Sequence, residues 1–181
     1  LLPVMAADFG CSVSVVALLV VMFTLVLALS SPVSTVLTGR LRRRSVLLAA
    51  MWIFATGNLL AAFSETFAAL LVARVMMAVA AGLYIPAANG LAGVIVPPQL
   101  RGRALAFVSA GQTLAIAFGL PLGGVIGHAF GWRATFLLVA VMSMTAILGV
   151  LTGIPRNAGA DVAVPGLHAR MALIGNRAVL R

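Results

Sequence analysis

The chain has 181 residues, of which 63% are hydrophobic and 8% charged; soluble domains carry about 25% charge, so an ordinary soluble domain is excluded and a polytopic membrane protein remains. Its formal net charge of +9 is carried by arginine without lysine, in short stretches between apolar runs, which points to membrane topology and argues against a nucleic-acid surface. The single Cys11 precludes an internal disulfide, and no spaced Cys/His set offers metal ligands, so neither metal nor cofactor is expected.

Taken in order, residues 1–7 are apolar but too short to cross a bilayer and contain Pro3. They read as the end of a helix whose body would precede Leu1. Residues 8–14 form a polar link in which Asp8 is expected to cap a helix end. The first complete span is predicted over 13–38. Ser30, Ser31 and Ser34 surround Pro32 there, and their hydroxyls are expected to take up the backbone groups that this proline leaves unpaired. Arg40, Arg42, Arg43 and Arg44 then crowd a short link of the kind retained on the cytoplasmic side.

The next span, 45–63, ends in the minimal polar turn Ser64-Glu65-Thr66. The span over 67–96 holds Arg74, the one charge well inside an apolar run. A mid-membrane charge costs about 2.5–3.5 kcal/mol on insertion scales, so it either serves a function or reaches for an interface. Tyr84, Pro86 and Asn89 add polarity and a bend toward the inner half. Pro97-Pro98 then break the helix, and Arg101 and Arg103 return to the cytoplasmic side.

The following helix is organised by Gly111, Ala115, Gly119, Gly123 and Gly127, which recur at every fourth position. They form a stripe nearly free of side chains, which another helix can approach at backbone distance. Pro121 lies inside it, where a kink is expected. Gly131-Trp132-Arg133 closes the segment at the water boundary, with His128 in the same outer loop. A last span is predicted over 134–154, followed by a cytoplasmic connector over 155–181 that includes Asp161 and His168.

Gly119-Leu120-Pro121-Leu122-Gly123-Gly124, with Gly131-Trp132-Arg133 and Phe136 after it, resembles the fifth transmembrane helix of major facilitator superfamily drug:proton antiporters. The proline stands one place later than in the usual pattern, as in the branch of sugar-efflux and chloramphenicol-resistance permeases. Leu70 to Arg74 with Met77, Ala78, Ala80, Ala81 and Gly82 resembles the family's fourth-helix signature. That resemblance implies that Arg74 faces the translocation pathway. Leu37, Arg40, Arg43, Arg44 and Leu47 match part of the loop signature between helices two and three, which implies a gating loop. Thr35, Gly39 and Arg42 replace its Gly, Asp and Gly, so the usual gate carboxylate is absent from that loop.

Arg40, Arg42, Arg43, Arg44, Arg101, Arg103, Arg156, Arg170, Arg177 and Arg181 fall on one side of this topology and Arg133 on the other. The crowded side is therefore assigned to the cytoplasm. The expected architecture is an all-α polytopic bundle over 1–154: the end of helix 1, then helices 2 to 6 of a six-helix half, with a second half after the connector. The resemblance implies an inner-membrane efflux permease that exchanges a small organic compound, a drug or a sugar, for protons by alternating access. No carboxylate lies well within a span, so a proton carrier is expected outside this sequence or in a shift of Arg74's surroundings. A membrane-bound enzyme would need clustered carboxylates, histidines or metal ligands, and the candidates stand singly. A non-transporting fragment is the alternative reading.

Overall fold

The computed structural model describes residues 2–39 and 41–155. Arg40 and the expected connector beyond Pro155 lie outside the described residues. The chain forms a short helix, α1 (Leu2–Asp8), followed by α2 (Val13–Leu37), α3 (Arg43–Ala62), α4 (Phe67–Ala92), a single 3-10 turn (Pro98–Leu100), α5 (Arg101–Phe130) and α6 (Trp132–Gly153). Five of these are long and apolar enough to cross a membrane. No strand occurs among the described residues.

Local chemistry sets the ends. The Ser12 hydroxyl accepts the amide of Val15 at 3.3 Å, a donor it shares with its own carbonyl at 3.0 Å, and starts α2; Thr66 accepts that of Ala69 at 3.2 Å and starts α4, as capping side chains do in the first helical turn. The α4 helix closes at Gly93, whose amide reaches Asn89 O, four residues short of the double proline and before the predicted end at 96. Between α5 and α6 the whole connection is Gly131, at φ +82°. A residue with a Cβ rarely adopts that conformation, and this is what permits so tight a reversal. Trp132 therefore begins α6 instead of closing α5, and His128 lies in the last turn of α5, not in a loop as expected.

Within the helices, Thr24, Thr56, Thr113, Thr145 and Thr152 each donate to the carbonyl four residues earlier. This is how a hydroxyl on an apolar helix is satisfied without water.

The α4 helix packs against α2 and α3, and α3 packs against α6. Two core clusters result. The first joins Met5 and Ala6 of α1 to Val16, Leu19, Ala61, Leu70, Ala73, Met77 and Trp132; the second joins Val46, Leu47 and Met51 to Ala87, Leu91 and Ile147. At Gly57 a Cβ would lie 2.7 Å from Met77 Cγ, so α3 and α4 meet where one of them has no side chain. By contrast α5 is almost wholly exposed, with Gly127 its one buried residue.

Candidate functional site

Arg74 lies two turns into α4, on the side turned to α2. Its guanidinium carbon sits 4.8 Å from the centre of the Phe23 ring, a cation–π contact that suits a charge with little water around it. Among the described residues it forms no hydrogen bond or ion pair. Asp8, the carboxylate at the nearer end of the bundle toward which a snorkelling arginine would reach, is engaged by Trp132 and Arg133. The geometry thus leaves Arg74 with its five N–H donors uncommitted, between two helices and away from either end.

The basic stretch expected to be a link runs into the first turn of α3, where Arg43 and Arg44 are the opening residues and diverge. Arg44 Nη2 donates to the carbonyl of Leu151 at 3.1 Å, in the last turn of α6. Arg43 lies along α4 at Gly90, where a Cβ would meet its Nε at 3.4 Å and its Cζ at 3.5 Å. Each cation therefore rests at the carbonyl end of a different helix, where partial negative charge accumulates and a cation contributes about 0.3–1 kcal/mol. Arg44 also lines an opening of about 430 Å³ with Leu151 to Pro155. Gly90 is sixteen residues along α4 from Arg74, about 24 Å at the helical rise. The structure does not bring Arg43 or Arg44 into one site with Arg74.

At the opposite end, three links converge. Asp8 Oδ2 accepts from Trp132 Nε1 at 2.7 Å and from Arg133 Nη1 at 3.3 Å, and Arg133 Nη2 donates to Ser64 O at 3.0 Å. Phe9 packs on Trp132 and Phe67, and Phe136 meets Trp132 edge-on. Asp8 is therefore not a helix cap. With Ser12 already in the cap position of α2, its carboxylate ties the end of α1 to the start of α6. The pairing of Asp8 with Trp132 across 124 residues carries no signal in local sequence. The two ends of the bundle, one held by Asp8 and Ser64 and the other by Arg43 and Arg44, agree with the predicted alternation of links.

The serine cluster on α2 likewise acts across helices. Ser30 and Ser34 approach the carbonyls of Ala78 and Gly82 on α4 at 3.5 and 2.8 Å. Neither bonds Ala28, the carbonyl freed by Pro32, so the expected local repair is not observed. A Cβ at Gly82 would collide with Ser30 Oγ and lie 3.1 Å from the amide of Ser31. The close backbone approach expected along α5 is thus realised within this chain at Gly82. On α5 itself, a Cβ at Gly111, Gly119, Gly123 or Gly124 would meet nothing within 4 Å, and Pro121 is exposed while the helix continues through it. A cavity of about 310 Å³ opens between α3, α4 and α6 beside Met51, Phe54, Tyr84, Met142 and Ser143.

The sequence model of the Major Facilitator Superfamily matches residues 1–180. The chain is 32% identical to a probable sugar efflux transporter of Mannheimia succiniciproducens, covering 96% of this chain and 45% of the relative. It is 34% identical to a chloramphenicol resistance protein of Streptomyces lividans, covering 96% of this chain and 44% of that protein. An uncharacterised MFS-type transporter of Bacillus subtilis is 33% identical over 87% of this chain and 40% of its own length. The chain thus spans less than half the length of these relatives. In fold it is similar to the peptide transporter POT solved in complex with alafosfalin, with a TM-score of 0.80 at 19% identity, over 99% of this chain and 40% of the other. A bundle of five membrane-length helices with this arrangement, matched by the family model over nearly its whole length, belongs to the Major Facilitator Superfamily.

Proposed function

We propose that the chain is the amino-terminal half of a bacterial inner-membrane permease that exports a small organic compound, a drug or a sugar, in exchange for protons by alternating access. The observation that carries this reading is the placement of Arg74, uncommitted among the described residues and stacked on Phe23 between α2 and α4. A cation held there at the insertion cost described above serves the pathway. The relatives named for sugar efflux and chloramphenicol resistance support the substrate class. The open glycine stripe of α5 supports a further partner: Gly119 and Gly123 face helices of a larger permease, the body of helix 1 or the second half, and the basic link of Arg40, Arg43 and Arg44 serves the gate.

The test is efflux by the complete permease in a pump-deficient bacterial host. Accumulation of chloramphenicol and of labelled sugars is measured with and without a protonophore. Export that collapses with the proton gradient and is lost in Arg74→Ala, at normal membrane levels, fits the proposal. Export by Arg74→Ala at the wild-type rate removes the pathway role, and export indifferent to the protonophore removes proton exchange.

A further inference from the structure

Pro86 sits inside α4 without an amide hydrogen, so the carbonyl of Gly82, four residues earlier, has lost its helical donor. In a membrane interior water does not replace it, and an unpaired carbonyl there must find a donor from protein. The donor is on another helix. Ser34 Oγ of α2 lies 2.8 Å from Gly82 O, and the Ser34 side chain is buried. The same hydroxyl is 2.8 Å from Ser31 O in its own helix. Since a hydroxyl carries one proton, it divides that proton between a carbonyl on α2 and the orphaned carbonyl on α4.

The contact is built into the packing. Ser30 meets Ala78 with the same separation of 48 residues that relates Ser34 to Gly82, so α2 and α4 run parallel in one register over a full turn. The absence of a side chain at Gly82 brings its backbone within reach, because a Cβ there would strike Ser30. The serine one turn earlier, Ser30, faces a carbonyl that no proline has deprived of its amide, and its bond is the longer of the two, at 3.5 Å.

We infer that Ser34 is a positioning residue that stands in for the amide missing at Pro86, bracing the inner third of α4 against α2 so that the two helices move as one unit. When the proton turns to Ser31 the brace is released, and α4 is free to bend at the proline. The brace itself needs no substrate; its use in transport rests on the proposed function.

A double-mutant cycle in the complete permease tests this. Ser34→Ala, Pro86→Ala and the double variant are reconstituted in lipid nanodiscs, and amide exchange is followed over residues 83–92 together with transport. Ser34→Ala alone should speed exchange in that segment about tenfold and lower the maximal transport rate with half-saturation unchanged. In the Pro86→Ala background the restored amide satisfies Gly82, so adding Ser34→Ala should change exchange less than twofold. Ser34→Thr, which keeps the hydroxyl, should match the wild type. If Ser34→Ala is poorly inserted, Ser34→Cys carries the same comparison. An equal effect of Ser34→Ala in both backgrounds, or none in either, overturns the inference. A cycle present in exchange while even the unmodified permease transports nothing supports the brace and counts against the proposed function.

Discussion

Replacing Gly82 by alanine sets two opposed effects against each other, and the structure gives the sign. The added methyl would occupy the space of Ser30 Oγ and stand 3.0 Å from Ser30 Cβ and 3.1 Å from the amide of Ser31. Two of those atoms belong to helix backbone or to the carbon fixed on it, so α2 and α4 must part. Overpacking of this kind costs about 1–3 kcal/mol, and drawing Ser34 away from Gly82 O removes a further hydrogen bond worth about 1 kcal/mol. Alanine's helix propensity returns about 1 kcal/mol. The net is a loss of about 1–3 kcal/mol, a change in the folded ratio of roughly five- to 150-fold. Gly123→Ala in the same chain meets nothing within 4 Å and keeps the propensity gain alone. Denaturant unfolding of the 181-residue chain in micelles, followed by the fluorescence of buried Trp132 in a Trp52→Phe background, should therefore move in opposite directions for the two variants. A Gly82→Ala chain as stable as the parent would refute the close approach of α2 and α4.

Further expectations are as direct. Trp132→Phe keeps the ring against Phe9 but loses the bond to Asp8, and a hydrogen bond to a charged group contributes about 1.5–3 kcal/mol; the loss should shrink to less than half in an Asp8→Ala background, and an undiminished loss would show that the bond contributes nothing. An impermeant maleimide should label Cys11 on intact cells, more slowly than a fully exposed thiol because Cys11 is half-buried, whereas Ser45→Cys in a Cys11→Ser chain should react only after the membrane is opened; the reverse pattern would invert the topology. Arg74→Lys retains charge without the planar fork, so efflux by the complete permease should fall at least tenfold, and full activity would indicate a point charge. Gly119→Val and Gly123→Val should reach the membrane and yet fail in efflux or leak protons, with normal transport by both removing the helix contact proposed for that stripe.

Much of this architecture is legible in the sequence because the bilayer imposes length. The boundaries predicted at 13–38, 45–63 and 134–154 fall within two residues of α2, α3 and α6. Where they drift, local structure decides: α4 gives way to turns from Gly93 on, before the double proline, and Gly131 hands Trp132 to the next helix. Interhelical chemistry is less legible. Ser34 and Pro86 are each conspicuous alone, yet nothing in linear order says that the serine on α2 serves the proline on α4; the relation comes from the register of the two helices, which sets Ser34 against Gly82 as it sets Ser30 against Ala78. Asp8 reads locally as a cap because its true partner lies 124 residues away. Arg74 is conspicuous because a lone charge in an apolar run is rare, but its stacking on Phe23 depends on the register of α2 against α4.

The two arginines that open α3 have a history in time as well as a place. While the chain is being made, Arg43 and Arg44 emerge long before the helices they finally touch. Leu151 lies 107 residues after Arg44, which at about 5–20 residues per second is a delay of roughly 5–20 s. During that interval their charges are unclaimed, free to hold the link on one side of the membrane while α3 inserts. Once α4 and α6 arrive, the same side chains close over the ends of both. A neutral substitution at Arg44 would therefore act twice over, first on the direction in which the chain enters the bilayer and later on the fastening of α6, and pulse-chase protease accessibility would separate the early event from the late one.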